Sequence, residues 1–222
     1  IRLLNPFQIM AVLGLLNITG ALFLQTFSES KKTKPVFIDI FTISFIAVLL
    51  IWLFNGWDYL QQKSLKMQWK GYTLLASGNS IYGNIAVTKS QSQRSFFYNG
   101  AYLYTVPDQL TAEEAVHFAL LEQPKPDQVL LVGGGVGGLL EEVLKHPVKK
   151  VDYVELDPMI IRMAQSYLSK EEYSFLRDRR VKVENLDGRL FIKSTHNKYD
   201  CVIVHLGDPR TVQMNRYYTV EF

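Results

Sequence analysis

Ten residues constrain this chain more than any others: Val129-Leu130-Leu131-Val132-Gly133-Gly134-Gly135-Val136-Gly137-Gly138. Four apolar residues in a row suit a strand covered on both faces of a parallel sheet. The glycines then permit a tight turn and let the backbone approach a ligand closely. A helix follows over Gly138–Lys145 and is stopped by Pro147. Gly133, Gly135 and Gly138 fit the pattern G-x-G-x-x-G. The pattern is weak alone, but its context strengthens it. Glu155 ends the next strand, at the spacing of about 20 residues expected for a carboxylate that holds ribose hydroxyls.

The alternation continues to the end of the chain. Strands are expected at Val129–Val132, Val151–Leu156, Val181–Glu184 and Cys201–Val204, with further helices at Pro158–Leu168 and Gly188–Ser194. The fold class is therefore α/β, a Rossmann-like parallel sheet. Upstream the period shortens. Trp69–Leu75, Ile81–Thr88 and Ser95–Val106 read as strands of a small antiparallel domain. The Asn99-Gly100 pair marks a tight hairpin turn within the last of them. The aromatics Phe96, Phe97, Tyr102 and Tyr104 default to core packing of that hairpin. A helix comes next, with Thr111 as N-cap, Glu114 completing a capping box and Leu110 as the staple.

The N-terminal region is different again. No charged residue occurs from Leu3 to Ser28, nor from Ile40 to Trp57, and Lys31, Lys32 and Lys34 lie between the two runs. Both reach the roughly 17–25 residues of a membrane-spanning helix, so the expectation is a transmembrane hairpin with Trp57 and Tyr59 at the interface. The expected organisation is residues 1–60 as two spans, 67–106 as the small β-domain and 107–222 as the nucleoside-binding domain. The domain stops inside a motif and reads as C-terminally incomplete. A net charge of +3, with no basic block, argues against nucleic acid as a partner. A single cysteine excludes an internal disulfide framework, and Cys201 reads as a small hydrophobe.

Several polar residues have plain structural readings. Asp157 before Pro158 suits a helix N-cap. Glu141 and Glu142 read as solvated, or as helical partners of Lys145 and His146. His146 marks the helix end, and no pair of histidines or acids stands out as a metal site. Two features bear on the ligand. Asn185-Leu186-Asp187-Gly188 follows the third strand, where an acid can accept from an adenine amino group. Gly207-Asp208-Pro209 follows the fourth, at the edge where ligands of open sheets bind. Both favour S-adenosylmethionine or a relative over a dinucleotide.

These segments, in this order, resemble the spermidine synthases, or polyamine aminopropyltransferases, and in particular their membrane-embedded bacterial branch. The resemblance runs from Tyr82-Gly83-Asn84-Ile85 through Tyr98-Asn99-Gly100, the Gly133–Gly138 loop with Glu142, Lys145 and His146, Val154-Glu155-Leu156-Asp157, Asp187-Gly188 and Asp208-Pro209, to Gln213–Thr219. It implies a methyltransferase-type domain and transfer of an aminopropyl group from decarboxylated S-adenosylmethionine to an amine such as putrescine, without a metal. It implies that Glu155 binds ribose, that Asp187 and Gly188 face adenine, and that Asp208 is the second acid of a D-x-x-D-P motif. The first acid of that motif, the base, falls on His205. The acid of the family's glycine loop falls on Val136. His117 and Tyr82 are carried over as substrate contacts. The replacements at Val136 and His205 keep two alternatives open: another S-adenosylmethionine-dependent transferase, or a nucleoside-binding pseudoenzyme. The implied partners are a small amine, the lipid bilayer and a second copy of the chain. The implied location is a multi-pass membrane protein with its soluble domain in the cytoplasm.

Overall fold

A computed structural model describes residues 4–26, 34–53, 56–207 and 212–220. The chain divides into two compact units, Ile1–Gly71 and Tyr72–Phe222.

The first unit contains α1 (Pro6–Thr26), α2 (Lys34–Leu53) and α3 (Gly56–Gln68). The start of α1 is chemically fixed. The Asn5 side chain accepts from the Gln8 N–H at 2.9 Å, and the Gln8 side chain accepts from the Asn5 N–H at 2.8 Å, a reciprocal cap with Pro6 as the first helical residue. Asn5 also donates to Asp58 of α3 at 2.6 Å, and α1 packs against both α2 and α3. The two apolar runs are thus helical, but the picture of two straight spans needs correction. Among the described residues no single helix is both long and apolar enough to cross a membrane. Within α1 the described apolar stretch is Pro6–Ala21. Thr42–Trp52 of α2 and Gly56–Gln68 of α3 meet the length and composition together, as a bent pair. Trp57 and Tyr59 belong to α3, a helix that the second apolar run concealed.

The second unit holds two sheets. The antiparallel sheet runs in the order β1 (Thr73–Asn79), β2 (Asn84–Ser90), β3 (Gln93–Tyr98), β4 (Ala101–Val106). The turn between β3 and β4 is Asn99-Gly100, with φ of 52° and 79°, as a two-residue hairpin of this composition requires. The boundaries differ at the front. Trp69 and Lys70 close the end of α3, so the first strand begins at Thr73 and absorbs Ser77-Gly78-Asn79. Helix α4 (Gln109–Leu121) is capped by Asp108 and not by Thr111. The Asp108 carboxylate accepts from the Thr111 N–H at 3.3 Å and from its hydroxyl at 2.9 Å. A carboxylate at the positive end of a helix outcompetes the hydroxyl three residues later. Leu110 is exposed and forms no staple.

The parallel sheet has the order β7 (Val181–Glu184), β6 (Lys150–Val154), β5 (Gln128–Val132), β8 (Cys201–Val204). Its crossovers are α5 (Leu139–Leu144), α6 (Pro158–Tyr167) and α7 (Gly188–Ser194), with a short 3-10 turn at Gly135–Gly137 and another at Glu171–Arg177. A last helical turn, α8, spans Val212–Asn215. Val129, Leu131, Leu139, Leu140, Val143, Val151 and Tyr153 form the principal core with Val116 and Leu120 of α4. A second core joins the two sheets: Ile85, Val87 and Phe96 pack with Val136, Ile160 and Ala164. Strand order reverses direction between β5 and β8. This is the switch point where open α/β sheets bind ligands, beyond the carboxyl ends of the strands.

Candidate functional site

A cleft opens at that switch point, enclosing about 760 Å³ together with the open space at its mouth. Its floor is Val132, Gly133 and Gly134 after β5, Val154–Asp157 after β6, and His205–Gly207 after β8. Gly188, Arg216 and Tyr217 line one side, and Tyr98, Leu103 and Tyr104 of the antiparallel sheet the other.

The glycine loop is shaped by close neighbours. Gly133 has φ of 73°, and a Cβ there would lie 2.6 Å from the His205 carbonyl oxygen. A Cβ on Gly135 would enter the Tyr153 ring at 2.6 Å. Gly138 ends the loop and leads into α5, accepting from the Glu142 N–H at 3.1 Å. Gly188 sits against Val132 under the Tyr217 hydroxyl.

Glu155 is buried just beyond the end of β6. Its carboxylate accepts from the Tyr153 hydroxyl at 2.9 Å and from the Asp157 N–H at 3.3 Å. Desolvation pushes its pKa up to about 7; the two hydrogen bonds offset part of that rise, and the nearby Asp157 adds to it. Asp157 is equally buried and fully engaged: it caps α6 by accepting from the Met159 N–H at 2.9 Å and also accepts from the Ser80 hydroxyl. Asp187 caps α7, accepting from the Arg189 and Leu190 N–H groups at 2.9 and 3.2 Å. It also pairs with the Arg216 guanidinium and accepts from the Tyr217 hydroxyl at 3.4 Å. An adenine amino group reaching Asp187 would share it with Arg216.

His205 lies on the cleft floor, its backbone N–H bonded to the Val132 carbonyl at 2.9 Å, and burial lowers its pKa. Neutral imidazole is the form that accepts a proton. Asp208 lies outside the described residues. The other sequence candidates fall elsewhere. Val136 is wholly buried between the sheets and does not line the cleft. Tyr82 sits in the β1–β2 loop, where its N–H donates to Ser80 at 2.9 Å, and it is not among the cleft residues. His117 is also remote from the cleft. It faces α5, where its Nε2 lies 3.2 Å from Glu142 Oε2 and its Nδ1 2.8 Å from His146 Nε2.

Two groups escaped sequence reasoning. Tyr104, expected to pack in the hairpin core, and Tyr98, noted only in the Tyr98-Asn99-Gly100 turn segment, present buried hydroxyls with no hydrogen-bond partner beside the cleft. Burial, then Asp157 and Glu155, push Tyr98 up to about 12; Tyr104 rises too, by burial first. Strand alternation gives no hint of this, because the lining arises where one sheet meets the other. The second group is Glu113, His117 and Glu142, whose ligand atoms all lie within 4.8 Å of one another. Glu142 is 3% exposed and not solvated. The i,i+4 spacing of Glu113 and His117 was the available signal; Glu142 arrives from another helix.

A glycine loop, a buried acid after the neighbouring strand and a cleft at the switch point are the marks of an open parallel α/β sheet of the Rossmann-like class. Known proteins narrow the class. The model of the spermine/spermidine synthase domain matches residues 109–222, just over half of the chain. A polyamine aminopropyltransferase of Oceanobacillus iheyensis is 31% identical over 217 residues, covering 95% of this chain and 42% of that protein. One from Korarchaeum cryptofilum is 40% identical over 130 residues, 58% of this chain and 40% of the relative. A solved spermidine synthase in complex with the transition-state analogue AdoDATO aligns with a TM-score of 0.61 at 29% identity, over 66% of this chain and 51% of that one. The spermidine synthase of Thermotoga maritima gives 0.56 at 30% identity, over 62% and 48%. The chain belongs to the spermine/spermidine synthase family. It spans about two-fifths of the length of the two curated relatives named here.

Proposed function

We propose that this chain carries the nucleoside half of an aminopropyltransferase that uses decarboxylated S-adenosylmethionine and an amine such as putrescine. The observation that carries the reading is the meeting of Gly133, Gly134, Glu155 and Gly188 at one switch-point cleft, with Asp187 paired to Arg216 of its wall, in a chain of this family.

In this reading Glu155 holds the ribose hydroxyls, Asp187 the adenine edge, and the Gly133–Gly135 backbone lies under the nucleoside. The acceptor nitrogen attacks the propyl carbon bonded to the sulfonium. The C–N bond forms as the C–S bond breaks, and its electron pair neutralises sulfur to the thioether of methylthioadenosine. The new secondary ammonium gives up a proton. His205, kept neutral by burial, is the acceptor proposed here, with Asp208 as the acid that holds the amine. Tyr98 and Tyr104 supply unpaired hydroxyls on the acceptor side.

The same reading places α1 and α2 at a lipid bilayer, with the second unit in the cytoplasm beside its cofactor. Support comes from the large apolar side chains that both helices expose, among them Leu13, Leu16, Phe45 and Leu49.

The test is direct. The full chain is incubated with decarboxylated S-adenosylmethionine and putrescine, and products are resolved by mass. Equal amounts of spermidine and methylthioadenosine are expected, lost in Glu155→Ala. Nucleoside binding without either product would overturn the transferase reading.

A further inference from the structure

We propose that Glu113, His117 and Glu142 form a binding site for a divalent transition-metal ion of the zinc class, which fastens α4 to α5 behind the glycine loop. The proposal does not depend on the proposed transfer reaction.

The geometry comes first. Glu113 and His117 stand one turn apart on α4, and Glu142 meets them from α5. His117 Nε2 and Glu142 Oε2 are 3.2 Å apart. Two ligands of one tetrahedral ion, with bonds of about 2.0–2.1 Å, stand at about that separation. The third ligand atom lies within 4.8 Å of the others.

The state of Glu142 is the second observation. Its side chain is 4% exposed, and Lys145 Nζ donates to Oε1 at 2.6 Å. Oε2 has no hydrogen-bond donor, because the nearby imidazole is close but not aligned as one. A buried carboxylate oxygen without a donor is costly, and a cation between Oε2 and Nε2 would satisfy both atoms.

The third observation is the support around His117. Its Nδ1 is 2.8 Å from His146 Nε2. With Nδ1–H donating to His146, the lone pair of His117 is left on Nε2, aimed at the proposed ion. Metal-bound imidazoles are held in this way by a partner on the other ring nitrogen. Gln109 likewise fixes Glu113 by donating to Oε1 at 2.7 Å. Access is open, since Glu113 and His117 are both partly exposed. One imidazole and two carboxylates suit zinc, iron or manganese better than magnesium, and a fourth position is left to water. Lys145 keeps Glu142 to one coordinating oxygen.

The ion would act structurally. Val143 and Leu140 of α5 already pack on α4, and Gly138 opens α5, so tying these helices together steadies the loop from behind.

The experiment uses the full chain, stripped with chelator and dialysed. Cobalt(II) is added as the probe, followed by the visible bands of a tetrahedral site, and zinc binding is measured by calorimetry. One equivalent of each is expected, with zinc displacing cobalt and raising the melting temperature. His117→Ala should abolish the bands. Because that change could unfold the chain by stranding Glu142, Glu113→Gln is the second variant: it keeps its shape and should weaken cobalt binding by roughly tenfold or more. His196→Ala, remote from the cluster in sequence, should leave the bands intact. Absence of a one-to-one site, or binding that Glu113→Gln leaves unchanged, would overturn the proposal.

Discussion

Glu155 is the residue at which stability and binding pull in opposite directions. Its pKa is raised by desolvation from 4.5 to about 7, so the folded state holds a proton that the unfolded state has released between those values. Stability therefore falls as pH rises through that window, by about 3 kcal/mol when complete, at about 1.4 kcal/mol per unit. Ribose hydroxyls donate to the ionised form and favour it. Methylthioadenosine affinity should accordingly drop as pH falls below about 7, at most tenfold per unit, with proton release visible when calorimetry is repeated in buffers of different ionisation enthalpy. Glu155→Gln should bind weakly at every pH and melt higher than the parent at pH 8. A flat affinity profile in the parent would place the ribose elsewhere. Gly135 makes a different demand. Adding a methyl group 2.6 Å from the Tyr153 ring should cost about 1–3 kcal/mol in Gly135→Ala, read from urea unfolding, and should displace the ring that donates to Glu155. Residues of this kind were legible in the sequence because the chemistry fixes their spacing along the chain. Tyr98, Tyr104 and Glu142 were not, because their roles come from partners far away in sequence.

Elements that repeat a local rule were the readable ones. The outermost parallel strands in sequence, Val129–Val132 and Cys201–Val204, follow from apolar runs, the middle two less cleanly because Asp152 and Lys182 interrupt them, and the Asn99-Gly100 hairpin follows from its turn chemistry. Errors arose where two local signals competed. Asp108 took the cap from Thr111, and α3 continued past an apolar run that ended at Trp57. The link between the two sheets was invisible. It runs through Asp157, which caps α6 and at the same time accepts from Ser80 in the loop after β1. Ser80→Ala would leave a buried carboxylate oxygen without its donor. A loss of about 1–3 kcal/mol is expected in urea unfolding, because an orphaned buried acceptor pays its full desolvation cost. The antiparallel sheet bears on the cleft through Tyr98 and Tyr104, so the same variant should also lower nucleoside affinity. Unchanged stability would mean that the Ser80–Asp157 contact is dispensable for joining the sheets.

At the scale of the whole molecule, the first unit has the harder question to answer. Ile9, Met10, Leu13, Leu16, Phe23 and Leu24 of α1 and Ile43, Phe45, Ile46, Leu49 and Leu50 of α2 are all exposed. Burying side chains of this size is worth about 1.5–3 kcal/mol each, so leaving eleven in water is far outside what scattered surface residues explain. The bilayer is the occupant proposed above. A helix of 21 residues reaches about 31 Å, close to the hydrocarbon thickness. The full chain should therefore float with neutral phosphatidylcholine vesicles and resist extraction by high salt and by alkaline carbonate. A charge at the middle of an apolar helix costs about 2.5–3.5 kcal/mol on insertion. Leu13→Arg combined with Leu49→Arg should then release the chain from the vesicles, while methylthioadenosine binding by the second unit is retained. Flotation that persists in the double variant would locate membrane attachment elsewhere. A parent chain that stays in the aqueous fraction would mean that another protein surface covers these helices.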